Sequence, residues 1–336
     1  MRPRGADSEA LIVRKLAGDP LRSVARQLAP DDVVCFRLTC ALFREHSEPP
    51  AAKSHAAFVR TLPLLRWAWA QLDGFKLPDG ELCALAARAG RIDVLQQLRE
   101  WRCPWDESTC AAAAAGGHLA TLQWARAEGC AWGESTCEAA AREGHLDVLQ
   151  WARENGCEWS EGTCEEAARG GHLHVLRWAH EQGCRWNTLT CWRAAGSGHL
   201  HVLQYAREHG CEWHEATCTA AADGGHGDLI RWAVQHGCPL SASACTAAAR
   251  NGRLDIVSWL RECRCEWDWL TCHAAAANGH LDVLCWAVEH GCRWDRGQCE
   301  QQARQNGHTH VLRWIRERRR VRRHASYTYT PPLPPV

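Results

Sequence analysis

The chain has 336 residues, 39 basic and 39 acidic side chains and 46% apolar content, which excludes full-length disorder, and no apolar run reaches the ~20 residues of a membrane span. Its 21 Cys, in a long chain whose start, Met1-Arg2-Pro3-Arg4, has no secretory apolar stretch, read as reduced thiols of an intracellular, cytoplasmic protein. Charge is uneven: residues 1–62 carry 10 basic and 7 acidic groups (+3), 63–312 carry 22 and 31 (−9), and 313–336 carry 7 and 1 (+6), an acidic body unsuited to general nucleic-acid binding.

Residues 1–15 have no periodic pattern and are expected to be disordered. In residues 16–50, Leu21, Val24 and Leu28 mark one short amphipathic helix, and Pro30 to Arg44 reads as two more. The order of a first helix, a Pro-Asp-Asp-Val segment from Pro30 to Val33, and Arg37-Leu-Thr-Cys-x-x-Phe-Arg44 resembles an F-box over about thirty residues. That resemblance implies docking to the adaptor subunit of a cullin-RING ubiquitin ligase, with Pro30, Val33, Val34, Phe36, Leu38 and Phe43 as the adaptor-binding residues. A helical N-terminal cap for the repeats that follow is the competing reading. Residues 51–77 are expected to be connecting helices, with Leu64 to Leu77 the degenerate half of one further repeat.

From residue 78 to 317 the chain repeats itself. The Gly of a Gly-His-Leu-like element recurs every 27 residues, from Gly90 to Gly279, and once more at Gly307. A Cys-x-Trp element keeps the same step from Trp105 to Trp294, with Leu240 in one place, and another Cys follows seven residues after its first Cys, from Cys110 to Cys299. Nine units are countable. In one of them Cys137, Ala140, Ala141 and Gly144 form a helical stripe of small residues that lets helices approach closely. Leu146 to Ala152 is a second helix, apolar over a wide arc, and Gly156 is its C-terminal cap. Asp106, Ser160, Asn187, Ser241, Asp268 and Asp295 are the expected N-caps of the next first helices. A two-helix unit of this size cannot bury its own apolar face, so stacking supplies the core and an all-α helical solenoid of roughly 70–90 Å is expected.

The stretch Cys137-Glu-Ala-Ala-Ala-Arg-Glu-Gly-His-Leu-Asp-Val-Leu-Gln-Trp-Ala-Arg-Glu-Asn-Gly-Cys-Glu-Trp159 resembles an ankyrin repeat, and the likeness covers residues 78 to about 317. The resemblance implies a scaffold that binds a protein partner on its concave face. Two departures limit it: the unit is 27 residues, short by the stretch where that family carries a projecting finger, and a Thr-Cys-x-Ala start replaces Thr-Pro-Leu-His.

Twenty-one Cys and 19 His raise metal binding, but there is no Cys-x-x-Cys, and copies of a periodic Cys stand one repeat apart, near ~10 Å. The two Cys ladders therefore read as small core residues, and no metal site or cofactor is expected. The pairs His172/His174, His199/His201 and His308/His310 are two apart and should point away from each other on a helix. Arg91 and Arg253 replace the turn His in two units, which marks a solvent-edge position. Motifs for nucleophilic, metal-dependent or phosphate chemistry are absent, so no catalytic residue is assigned.

The Trp ladder of the second helices, such as Trp124, Trp151 and Trp178, reads as packing between repeats. Binding residues should be those that break the repeat. Directly after the first-helix Cys the chain carries Ala111, Glu138, Glu165, Trp192, Thr219, Thr246, His273 and Glu300, a variable and hence exposed position. Trp192 with Arg193, Trp269 with Leu270, and His273 are the candidate partner contacts, with Glu138 and Glu165 on the same face. A monomer is expected. Residues 318–336 read as a basic, Pro-rich disordered tail, with Arg316 to Arg323 a candidate nuclear-import signal. No lysine follows Lys76, within a bias of 36 Arg to 3 Lys.

Overall fold

The computed structural model describes residues 59, 62, 65, 66 and 80–327, with backbone alone from 319 onward. The N-terminal residues 1–15, the F-box-like segment 16–50, most of 51–77, residues 78–79 and the last residues 328–336 lie outside the described residues. Among the described residues there are 18 helices and no strands, arranged as nine helix pairs, the all-α repeat fold expected from the period. The chain divides between Thr163 and Cys164 into two compact units.

The described part of the first unit contains α1 (Glu81–Arg88), α2 (Ile92–Glu100), α3 (Glu107–Ala115), α4 (Leu119–Ala127), α5 (Glu134–Glu143) and α6 (Leu146–Glu154). The division falls inside α7 (Glu161–Gly170). The second unit continues with α8 (Leu173–Glu181), α9 (Thr188–Gly196), α10 (Leu200–Glu208), α11 (Glu215–Asp223), α12 (Gly227–Gln235), α13 (Ala242–Arg250) and α14 (Leu254–Glu262). It ends with α15 (Trp269–Ala277), α16 (Leu281–Glu289), α17 (Arg296–Gln305) and α18 (Thr309–Tyr327). Odd numbers are the first helices of each repeat and even numbers the second.

Eighteen helices mostly of eight to ten residues would each be marginal alone, so tertiary packing holds them. First helices pack chiefly on one another: α1, α3 and α5 in the first unit, α9, α11, α13, α15 and α17 in the second. The small-residue stripe explains this. Cys137, Ala140 and Ala141 on α5 are all fully buried, and with nothing larger than a thiol between them neighbouring backbones close up. On the second helices Val148, Leu149 and Ala152 are buried.

The helix ends follow the sequence in part. Asp106, Asn187, Asp268 and Asp295 accept cap hydrogen bonds from Ser108, Leu189, Leu270 and Gln298 backbone N–H groups. Ser241 occupies the N-cap of α13 but makes no side-chain cap bond, and the unexpected His214 ring nitrogen caps α11. Gly156 has φ 83°, and the Cys157 N–H reaches back to the Ala152 carbonyl at 2.9 Å, closing α6. The helix α18 runs on to Tyr327, past Glu317 where the sequence reading begins its tail, because no Gly or Pro interrupts this Arg-rich run. No helix among the described residues is long and apolar enough to cross a membrane.

Candidate functional site

Four large apolar side chains are exposed among the described residues, and all belong to first helices of the second unit: Leu189 at 45%, Trp192 at 36%, Trp269 at 41% and Leu270 at 40%. Leu189 and Trp192 lie on the first turns of α9, Trp269 and Leu270 at the start of α15. Leu189 is absent from the sequence reading. Its signal was there, since Leu189 and Leu270 occupy the same register three steps of 27 residues apart.

The caps set these side chains. The amides of Leu189 and Leu270 are the groups held by Asn187 and Asp268, at 2.8 and 2.9 Å. Trp269 meets the half-buried His273 ring edge-on at 5.6 Å, and Trp192 faces the Arg193 guanidinium at 5.2 Å. The two apolar spots are three repeats apart, about 30 Å at ~10 Å per repeat. Between them the corresponding positions carry Ala216, Thr219, Ser243 and Thr246. Thr219 and Thr246 turn their hydroxyls back to the carbonyls of Glu215 and Ala242, which leaves a floor of low relief.

The other sequence-predicted residues are tied into the repeat. Glu165 accepts a 3.0 Å bond from the Asn187 side chain, which joins it to the cap of the next repeat. Glu138 lies half-buried with its carboxylate against Gly162 in the first turn of α7, where the helix dipole favours negative charge. Arg193 approaches Glu166, a carboxylate 7% exposed beside the small-residue stripe, at 4.0 Å, and Arg169 lies 3.8 Å from it. Removing one partner of a buried charge destabilises strongly, so Arg193 is part of the scaffold as well as of the face.

The turn His residues are half-exposed, in keeping with a solvent-edge position, and they also bridge repeats. His199 Nε2 is 3.1 Å from the Arg169 carbonyl and His201 Nε2 is 3.1 Å from the Gly171 carbonyl, and His308 and His310 repeat the arrangement on Ala277 and Gly279. The members of each pair, however, do not point apart. Their rings meet edge-on at 6.1 Å, because the first of them precedes the helix as its N-cap instead of lying on it. Arg253, in the same place, donates to the Gly225 carbonyl, so the substitution preserves a bridge.

From Cys110 onward both Cys ladders are buried, as small core residues should be, and they meet within the repeat: the loop Cys Sγ reaches the N-cap carbonyl four residues before the helix Cys, 3.2 Å for Cys130 on Asp106, Cys211 on Asn187 and Cys292 on Asp268. Among the described residues no group of three or more His, Cys, Asp or Glu is arranged to hold a metal ion.

Residues 245–288 match the family model described as ankyrin repeats (many copies). No curated protein matches the chain. Among solved structures the chain is similar to the crystal structure of the human ASB11 ankyrin repeat domain, at 19% identity over 47% of this chain and 84% of that one, with a TM-score of 0.40. The class defined here is an all-helical array of two-helix repeats, with ankyrin repeats recognised at 245–288.

Proposed function

We propose that the chain is a protein-binding scaffold of the ankyrin type and that its partner lies along the first-helix face of the second unit. The single observation that carries this is the placing of all four exposed large apolar side chains on that face, at Leu189, Trp192, Trp269 and Leu270. Such residues rarely stay in water without a use when they cluster, and Trp is enriched where binding energy concentrates. Two anchors about 30 Å apart over a floor of small residues suit a partner segment that reaches both, an α-helix of about 20 residues or a shorter extended strand. Binding is non-covalent and uses no cofactor.

The test is affinity capture with the full chain and with Trp192→Ala plus Trp269→Ala. The double variant is expected to lose retained partner by tenfold or more at unchanged circular dichroism, since each truncated anchor weakens binding by about 2 kcal/mol. Unaltered capture excludes this face. Arg193 is unsuited to the test because it also neutralises Glu166.

A second reading keeps the scaffold and adds a ligase connection, resting on the F-box resemblance of Pro30 to Arg44 and on the lack of lysine after Lys76, which would leave the substrate-holding body without acceptors of its own. Co-purification of the ligase adaptor with the full chain, but not with a chain lacking residues 1–50, would support it. Retention by neither would leave the plain scaffold. The basic run Arg316 to Arg323 belongs to the same set of proposals as a route to the nucleus from a cytoplasmic site of synthesis.

A further inference from the structure

The thiol pairs are left over once the fold and the binding face are explained. Seven repeats each bring one first-helix Cys and one loop Cys together: in six the loop Sγ lies 3.2–3.6 Å from the N-cap carbonyl four residues before the helix Cys, and in the other the Cys164 Sγ lies 4.0 Å from the Cys184 carbonyl. Some buried positions of the same repeats exchange side chains, Val148 becoming Ile256 on the second helix and Thr217 becoming Ala244 on the first, while the fully buried Ala140 and Ala141 registers are as constant as the Cys. The two Cys positions never vary together or separately over these seven repeats.

The loop Cys Sγ–H donates to the carbonyl of the N-cap residue, 3.2 Å for Cys130 to Asp106 and 3.2 Å for Cys211 to Asn187. The neighbouring Cys110 thiol, and after it Arg126, hold the Cys130 pKa below the usual thiol value against its burial and the Asp106 charge. In five of the seven repeats the loop Cys is also the less enclosed of the two, with Cys238 and Cys292 at 4% exposure where their helix partners Cys218 and Cys272 are at 0%.

We propose that each of these repeats is a modification site, a dithiol that a peroxide-class oxidant converts into an intrarepeat disulfide between the helix Cys and the loop Cys. The loop thiolate attacks one peroxide oxygen, giving a sulfenic acid and releasing water. The helix thiol then attacks the sulfenic sulfur, the S–S bond forms and a second water leaves. Two thiols lose two electrons and two protons, and one peroxide becomes two waters. Each bond would tie the end of a second helix to the start of its own first helix, closing the loop that sets the repeat. The inference is independent of the binding face.

Cys83 and Cys103 hold the same two registers but are linked only by the charge of Cys103 bearing on Cys83, and Cys299 has no loop Cys of its own, so these serve as internal controls. The experiment treats the folded full chain with hydrogen peroxide, alkylates the remaining thiols under denaturing conditions and maps the linkages by mass spectrometry. Disulfides joining Cys twenty residues apart are expected, with Cys263 and Cys299 alkylated, a raised Tm and full reversal by dithiothreitol. The variant Cys130→Ser should lose only the Cys110 linkage. Complete alkylation of the paired thiols, oxidation beyond sulfenic acid without S–S bonds, or linkages running between successive repeats would each overturn the proposal.

Discussion

Arg153 lies 4.2 Å from the Trp159 ring and donates to the Cys157 carbonyl at 2.6 Å, so one guanidinium covers an indole and closes the helix end beneath it. The same clamp recurs with Arg207 on Trp213, while His180 stacks on Trp186 at 3.6 Å in a repeat without the Arg. Where Leu240 stands in the Trp place, Val234 stands in the Arg place and both pack on one apolar cluster. Two residues depart from the repeat at strain. Arg102 and Arg264 hold φ 58° and 59° where the other repeats carry Gly, as at Gly156 and Gly237. The left-handed region disfavours a side chain, so Arg264→Gly is expected to stabilise by about 1 kcal/mol, read as a rise in the denaturation midpoint. The fully buried Thr136 hydroxyl has no hydrogen-bond partner, and Ala244 fills that register elsewhere without loss of burial. Thr136→Val, which keeps the shape and removes the orphan oxygen, should stabilise by about 1 kcal/mol in chemical denaturation.

At the scale of the element, the turn between the helices of a repeat is shaped by the repeat after it. Gly171 has φ 77°, and a Cβ there would stand 2.5 Å from the His199 ring. The glycine is therefore required twice, by its own backbone and by the imidazole stacked over it. Gly156 shares the positive φ, but nothing lies within 4 Å of its Cβ position. Gly171→Ala should thus cost more than Gly156→Ala: about 2 to 3 kcal/mol against about 1. Comparable midpoints for the two variants would remove the His from the account. The small-residue stripe, the apolar second helix and most N-caps are legible in the sequence because each is a matter of positions three or four apart on one helix. His bridges about thirty residues long, and the Glu165 to Asn187 bond across repeats, depend on the angle at which helices stack, and no local spacing encodes that.

For the whole molecule, each unit is a run of similar repeats, so stability is expected to be distributed, with nearest-neighbour contacts as its currency. The inter-repeat His199 makes it sensitive to acid. Burial holds the His199 pKa below the usual 6.5, aided by the neighbouring His201 and His226. The folded state therefore binds the proton less readily than the unfolded chain. The His199 contribution is complete above the unfolded pKa, near 6.5, and is lost as pH falls through the lower folded value. Melting between pH 7.5 and 5 should show Tm falling on the acid side, with a smaller fall in His199→Gln.

The period of 27 residues, the two-helix unit and the absence of strands among the described residues were determined by the sequence, because periodicity in side-chain size dictates which faces must be buried. Trp192, Trp269 and Leu270 were found for the same reason: they interrupt an otherwise regular pattern. Only the tertiary structure decided that Leu189 joins them, that Glu138 and Glu165 are turned to neighbouring helix starts, and that two separate Cys ladders meet as pairs. Those contacts join positions roughly twenty or more residues apart whose distance is set by how helices cross and turns close, a geometry that a one-dimensional pattern does not contain.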